Sequence, residues 1–185
     1  MPSEEPSYSA AAKTLHWLVA AIVVALVPSG LVMAALSRGP SQDRLFALHE
    51  SFGVIALALM LLRVGVRLRG APTPWPPLSR GERGASGAVH SALYVALLLT
   101  PVVGWLALSA YGLAPSFFGL GELPALLGKD EPLSKTLFAL HKAGGLTIAA
   151  LVLLHLAGVL RHALVKRDDL LWRILPVQGR RRQAR

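Results

Sequence analysis

Four long apolar stretches alternate with polar or proline- and glycine-rich segments along this chain. They lie at approximately residues 14–36, 45–68, 88–110 and 137–164. Each has about 20 residues or more, the length that an α-helix needs to cross about 30 Å of hydrocarbon. The pattern therefore predicts an all-α protein: an integral-membrane, up-and-down four-helix bundle that forms a single domain over residues 1–185 and ends in a tail at residues 165–185.

The three connections between these stretches differ in character. Residues 37–44 form a short segment rich in turn-forming residues, whereas residues 69–87 are predicted to be extended because they contain Pro72, Pro74, Pro76 and Pro77. Residues 111–134 mix apolar residues with glycine and proline, which indicates a lid or a short interfacial helix over one end of the bundle. We expect Ser134 to be the N-cap of the fourth helix.

Composition and charge narrow the possible chemistry. The chain is 54% hydrophobic and contains no cysteine, which excludes disulfides, iron–sulfur clusters and the covalent attachment of c-type haem. The net charge is +9, and 13 of the 19 lysines and arginines lie in or beside residues 63–83 and 161–185. Cytoplasmic segments of membrane proteins carry such an excess, so both termini are predicted to be cytoplasmic. This distribution indicates membrane lipid, and not nucleic acid, as a partner.

Four of the six histidines fall into two layers when they are placed by depth. His141 and His155 are 14 residues apart on the fourth helix, about 21 Å along its axis and on the same stripe. Because successive helices run in opposite directions, His49 joins His141 at the outer side and His16 joins His155 at the inner side. Ionisable residues inside a membrane are costly and indicate a functional site. Two imidazoles from different helices at one depth are what bis-histidine haem ligation needs.

Two alternatives to haem ligation remain open at this point. Each histidine could be a polar residue that forms a hydrogen bond across helices. A tetrahedral zinc site is less favoured, because such a site usually has three or four ligands in one cluster and each layer offers two.

Glycines accompany the four histidines at helical spacing. Gly53 follows His49 by four residues, and Gly145 follows His141 by the same interval. A flat macrocycle needs little side-chain volume beside its ligands, so Gly53 and Gly145 are candidate cofactor-binding positions. Small residues that let membrane helices pack closely are the alternative interpretation.

Three other residues belong to the inner half of the predicted bundle. Arg63 lies 14 residues after His49, so its guanidinium could pair with a haem propionate or extend to the membrane surface. His90 and His162 are expected near the cytoplasmic boundary, where a titrating side chain can reach water. Both are candidates for a quinone or proton-transfer site, and the alternative is an interfacial residue without a specific role.

Six short motifs carry a resemblance that covers nearly the whole chain. They are LHW at 15–17, LHESFG at 48–53, VHSALY at 89–94, LHKAGG at 140–145, LHLAGVLRH at 154–162 and KRDDLLWRILP at 166–176. With these motifs in this order, the chain resembles the bacterial cytochrome b561 family, which is related to the cytochrome b subunits of nickel–iron hydrogenases.

The resemblance implies a diheme b-type electron-transfer protein of the bacterial inner membrane. Its axial ligands would be His16, His49, His141 and His155, the same residues that the depth argument selects. The resemblance also implies ubiquinone as one redox partner, and some members of the family are described as oxidising superoxide at the outer side. The outer connection, residues 111–134, shows no clear positive funnel for an anion.

The sequence therefore predicts a cytochrome with two non-covalent haem b groups. Electrons would pass between a small periplasmic one-electron donor, or a periplasmic redox partner, and the quinone pool, with quinone bound near His162. Two rivals stay open: a membrane anchor that accepts electrons from a docked hydrogenase or dehydrogenase, and a haem-free transporter with histidine relays. The sequence does not indicate an oligomeric state.

Overall fold

The computed structural model describes residues 8–70, 78–168 and 170–176. Within them four long α-helices follow one another: α1 (Ala10–Ala35), α2 (Pro40–Leu68), α3 (Arg80–Tyr111) and α4 (Glu131–Leu160). All four are long and apolar enough to cross a membrane, and the only β-pairing in this part of the chain is an isolated bridge between Ser116 and Glu122. The predicted all-α, four-helix membrane architecture is therefore confirmed. The four prolines of the predicted extended linker and the last part of the basic tail lie outside the described residues.

Helix α3 begins at Arg80 and not near residue 88 as predicted. Ser79 and Glu82 form a reciprocal capping box, in which each side chain accepts a hydrogen bond from the other residue's backbone N–H group. Such a box satisfies two backbone donors that a helix N-terminus otherwise leaves without a partner. The cap allows the helix to continue through a first stretch that contains three glycines, which have low helix propensity.

The prediction that Ser134 caps α4 is wrong. Asp130 is the N-cap and accepts a hydrogen bond from Leu133 N at 3.0 Å, and Pro132 occupies the first helical turn, where its missing N–H group costs nothing. Ser134 is buried, and its hydroxyl donates to Ala107 O at 3.0 Å. It therefore ties α4 to α3.

The four helices associate as two antiparallel pairs. Contacts are most extensive between α3 and α4 and between α1 and α2, and they are sparser between the two pairs. A small core of Val19, Val23, Met60 and Ile148 joins them near mid-length. Large apolar side chains cover the outside, as expected for a surface that faces lipid. The sparse contact between the pairs leaves space in the bundle above and below this core.

The outer connection, predicted over residues 111–134, spans residues 112–130 in the structure and folds over the end of the bundle as an irregular segment without a helix. Ser116 N donates to the Glu50 carboxylate at 3.1 Å, and Phe118 N donates to Ser51 Oγ at 2.8 Å. These bonds join the connection to α2. The predicted lid is thus present, and its alternative form, a short interfacial helix, is not.

A segment after α4, the C-terminal strap (residues 167–168 and 170–176), folds back towards the start of α1. The chain leaves α4 through a π-helical turn, Arg161–Lys166, and reverses at Arg167, whose φ is 53°. Trp17 Nε1 then donates to Ile174 O at 3.0 Å. The strap therefore closes the bundle end opposite to the outer connection.

Candidate functional site

Two histidines face each other near the end of the bundle that the outer connection covers, and we call this level the outer layer after the predicted orientation. The ring centroids of His49 on α2 and His141 on α4 are 6.0 Å apart, and the ring planes are inclined by 79°. An imidazole nitrogen lies about 2 Å from a bound metal ion, so two coaxial ligands place their ring centroids roughly 6 Å apart. The spacing of this pair fits one iron between the rings.

His141 is oriented by helix α3. Its Nδ1–H group donates to Thr100 O at 2.9 Å, which leaves Nε2 free to bind a metal. A Cβ atom at Gly104 would lie 2.7 Å from His141 Nδ1, so glycine is required for this close approach. A Cβ atom at Gly144 would lie 2.5 Å from Thr100 Oγ1, so helices α3 and α4 are equally close at this position, about one turn after His141.

His49 is oriented by helix α1 through a hydroxyl group. Ser29 Oγ donates to Leu26 O at 2.9 Å, so its oxygen is available to accept from His49 Nδ1 at 3.1 Å. This arrangement also leaves Nε2 free. A Cβ atom at Gly30 would stand 3.2 Å from His49 Cε1, so α1 packs closely against the ring.

A largely apolar cavity of about 330 Å³ lies between the four helices at this level. His49 and His141 both line it, together with Gly53, Gly145 and Trp105. A Cβ atom at Gly53 or Gly145 would meet no other atom within 4 Å, so both glycines border open space. The cavity has the character of a cofactor site: concave, apolar and equipped with a few convergent polar groups.

A second pair of histidines lies in the inner layer, nearer to the strap. The ring centroids of His16 on α1 and His155 on α4 are 6.4 Å apart, with the planes inclined by 61°. This spacing also fits two coaxial ligands of one metal ion. The structure thus brings together the same two pairs that the depth argument predicts.

His90 lies beside the inner pair, well inside helix α3 and not at its start as predicted. Its ring centroid is 5.1 Å from that of His155, and its Nδ1–H group donates to Ser86 O at 2.6 Å. Because α3 begins at Arg80, His90 lies about 15 Å along the helix and not at its first turn. Within the described residues, no group of three or more His, Asp or Glu side chains could hold a metal ion, so His90 does not complete a metal cluster.

Arg63 is held by Tyr94 of α3, a residue that no spacing along the chain connects with Arg63. Arg63 Nε donates to Tyr94 Oη at 2.9 Å, and the guanidinium carbon lies 5.6 Å from the centre of the Tyr94 ring. Arg63 Nη1 is buried and is the one such side-chain nitrogen or oxygen without a hydrogen-bond partner across the described residues. A buried guanidinium nitrogen without a partner is costly, and a carboxylate would satisfy it.

His162 is buried, with 7% of its surface exposed, whereas its place in the sequence predicted that it would reach water. It lies in the π-helical turn after α4, and its Nδ1 is 2.6 Å from Asp168 Oδ2 in the strap. The sequence did not reveal this pairing, because the strap reverses direction only through the unusual backbone at Arg167.

Comparison with known proteins gives a consistent result. The sequence profile described as prokaryotic cytochrome b561 matches residues 7–177. The chain is 31% identical to cytochrome b561 homolog 2 of Escherichia coli K12 over 170 residues, which cover 91% of this chain and 90% of that protein. It is 28% identical to a probable superoxide oxidase, CybB, of Yersinia pestis, over 91% of this chain and 96% of that protein. Identity to cytochrome b561 homolog 1 of E. coli K12 is 26%, over 88% and 93%.

Proposed function

Because this chain belongs to the prokaryotic cytochrome b561 family of transmembrane b-type cytochromes, we propose that it binds two haem b groups and carries electrons across the bacterial inner membrane. The electrons would pass between a periplasmic one-electron donor and the quinone pool. The observation that carries this proposal is the pairing of histidines from different helices at two depths, with ring centroids 6.0 and 6.4 Å apart. Both termini would be cytoplasmic, as the charge distribution predicts.

In the outer layer, His49 and His141 would be the axial ligands. Three features support this assignment: the spacing of the rings, the hydrogen bonds that occupy both Nδ1 atoms, and the apolar cavity that both rings line. Partners of this kind fix the tautomer and orientation of metal-binding histidines in other proteins. Gly53 and Gly145 would leave room for the macrocycle beside its ligands.

In the inner layer, His16 and His155 would be the axial ligands, and Arg63 would bind a propionate. The support for the role of Arg63 is its buried Nη1 atom, which needs an anionic or carbonyl partner. Tyr94 holds the guanidinium in place through a hydrogen bond with Arg63 Nε. The Nη1 atom therefore stays within the bundle and does not extend to the surface.

A bound haem would supply one-electron redox chemistry. With two histidine ligands the iron has no open position, so small molecules would exchange electrons without binding to it. The protein would hold the imidazoles at fixed depth and exclude water with the surrounding apolar side chains. The haem-free transporter is disfavoured by membership of a cytochrome family.

At the inner end, we propose that ubiquinone binds near His162, which is buried and lies seven residues after His155, in the π-helical turn that follows α4. His90 is the second candidate for proton transfer, because it contacts the inner pair directly. At the outer end, a second cavity of about 550 Å³ shares Phe46, Leu108 and Phe138 with the first and would admit a small donor. Superoxide is a candidate donor, since one relative is named a probable superoxide oxidase.

The test is the haem content and reactivity of the purified chain. We expect two haem b groups per chain by the pyridine haemochrome assay, and reduction of both followed by oxidation with a soluble short-chain ubiquinone. One haem per chain would contradict the two-layer proposal. Electron transfer only in the presence of a copurified dehydrogenase would favour the anchor-subunit rival.

A further inference from the structure

The buried pair of His162 and Asp168 forms a compact unit at the inner end of the bundle. His162 Nδ1 lies 2.6 Å from Asp168 Oδ2, and both side chains are largely shielded, with 9% and 18% of their surface exposed. The second carboxylate oxygen, Oδ1, accepts a hydrogen bond from Leu170 N at 3.2 Å. Asp168 therefore contacts His162 from a fixed direction.

The backbone is built to bring these two residues together. The π-helical turn carries His162, Arg167 adopts a left-handed conformation, and Asp168 N then donates back to His162 O at 3.3 Å. π-Helical turns are rare and occur frequently at functional sites. The bond from Trp17 to Ile174 holds the far end of the strap on α1.

The neighbouring cations are engaged by a different carboxylate. Glu82, at the start of α3, accepts from Arg161 Nη1 at 2.6 Å and from Lys166 Nζ at 2.5 Å. These are the two basic residues of the π-helical turn itself. Because Glu82 binds both, they do not draw Asp168 away from His162.

We propose that Asp168 is a positioning residue for quinone reduction, and this inference rests on the proposed quinone site near His162. A quinone takes up two electrons and two protons to become a quinol. The electrons would come from the cytochrome, and the protons from water at the inner side. Asp168 accepts a hydrogen bond from Nδ1–H of His162, so Nε2 is the nitrogen that gives each proton to a quinone oxygen and regains one from water. The carboxylate also stabilises the imidazolium before each transfer.

The test compares Asp168→Asn with His162→Gln in the haem-loaded protein. Asparagine keeps an oxygen for Leu170 N but presents an NH₂ group to His162, which favours the opposite tautomer. The protein is reduced chemically, freed of reductant and mixed with a soluble short-chain ubiquinone while haem absorbance is followed. For Asp168→Asn we expect the maximum rate to fall about 10- to 100-fold, with the half-saturating quinone concentration within about two-fold of the wild type.

Three further measurements separate positioning from a structural role. Haem content, both midpoint potentials and the rate of oxidation by ferricyanide are expected to stay unchanged in Asp168→Asn.

The double variant is expected to be no slower than His162→Gln, because the two residues act as one unit. The matched control is Glu131→Gln, an exposed carboxylate at the opposite end of α4, which is expected to behave as the wild type.

The outcomes distinguish this inference from the proposed function. A slow His162→Gln variant beside a normal Asp168→Asn variant would overturn the role of Asp168 and leave the quinone site intact. A normal His162→Gln variant would remove the quinone site from this region altogether. Loss of haem from Asp168→Asn, or additive effects in the double variant, would assign Asp168 a structural role and likewise overturn the inference.

Discussion

The outer and inner layers each pair two histidines at nearly the same spacing, but different groups surround the two pairs. In the outer layer each imidazole is held by a neutral oxygen, Thr100 O or Ser29 Oγ, and by a glycine whose helix packs against the ring. In the inner layer a third imidazole contacts the pair, and the Nη1 atom of Arg63 is buried without a hydrogen-bond partner among the described residues. Close packing against the rings therefore characterises the outer site. The inner site is characterised by the positive charge of Arg63, which an anionic group would neutralise. The two layers should respond to different substitutions.

The largest expected effect is the selective loss of one centre. His49→Ala should lose the outer haem and keep the inner one, and His16→Ala should do the reverse, because each variant leaves one layer complete. The pyridine haemochrome assay should then give one haem per chain in place of two. The lipid-facing variant Leu153→Ala, 68% exposed, is the control and should retain both. Loss of both haems from either histidine variant would show that the layers are not independent.

The second effect tests the role of packing in the outer layer. Gly104→Ala would place a methyl group 2.7 Å from His141 Nδ1, so the ring or helix α3 must shift. We expect haem affinity at the outer site to fall about 10- to 100-fold, as when metal-binding histidines lose their orientation. Haem titration of the apoprotein measures this effect.

The matched control for Gly104→Ala is Gly65→Ala. A Cβ atom at Gly65 in α2 would meet no atom within 4 Å, so binding at both layers should be unchanged. Equal losses from the two alanine variants would mean that helix propensity, and not contact with the ring, determines the result. In that case the proposed contrast between the layers would fail.

The sequence alone predicts some of these contacts and not others. Helical periodicity and alternating helix direction are sufficient to pair His49 with His141 and His16 with His155, because depth follows from counting residues. The same counting placed His90 at the start of α3, whereas the helix begins ten residues earlier, at Arg80, because the Ser79–Glu82 capping box was overlooked. Contacts across helices, such as Gly104 with His141, depend on the rotation of each helix, which spacing along one chain does not determine.

The third effect concerns charge in the inner layer. Arg63→Met largely keeps the length of the side chain but removes its positive charge. Removal of this charge should stabilise the oxidised form of a nearby haem, because the oxidised form is the more positive one. We expect the inner midpoint potential to fall by roughly 50 mV, close to the 59 mV that corresponds to a tenfold change for one electron. The outer potential should change little. Redox titration followed by absorbance resolves the two centres.

Arg67→Met is the control for Arg63→Met. Arg67 also lies over the Tyr94 ring, at 5.3 Å, but its side chain is exposed to solvent. Solvent screening should make its effect on the inner potential much smaller. If the two variants shifted the potential equally, the buried Nη1 atom of Arg63 would have no special role, and the assignment of Arg63 to a propionate would be lost.

The smallest effect tests the hydrogen bond between Ser29 and His49 in the outer layer. Ser29→Ala removes the acceptor of His49 Nδ1–H, so the imidazole becomes a weaker electron donor to the iron. We expect the outer potential to rise by about 20 mV, less than the effect of a full charge, because only the difference in hydrogen-bond strength between the oxidised and reduced states counts, a fraction of the roughly 1 kcal/mol that a neutral hydrogen bond contributes. Ser51→Ala, at the same end of the bundle and bonded to the outer connection, should leave the potential unchanged. A shift at the inner haem in Ser29→Ala would contradict the separation of the layers, since Ser29 bonds only towards His49 and Leu26 within the described residues.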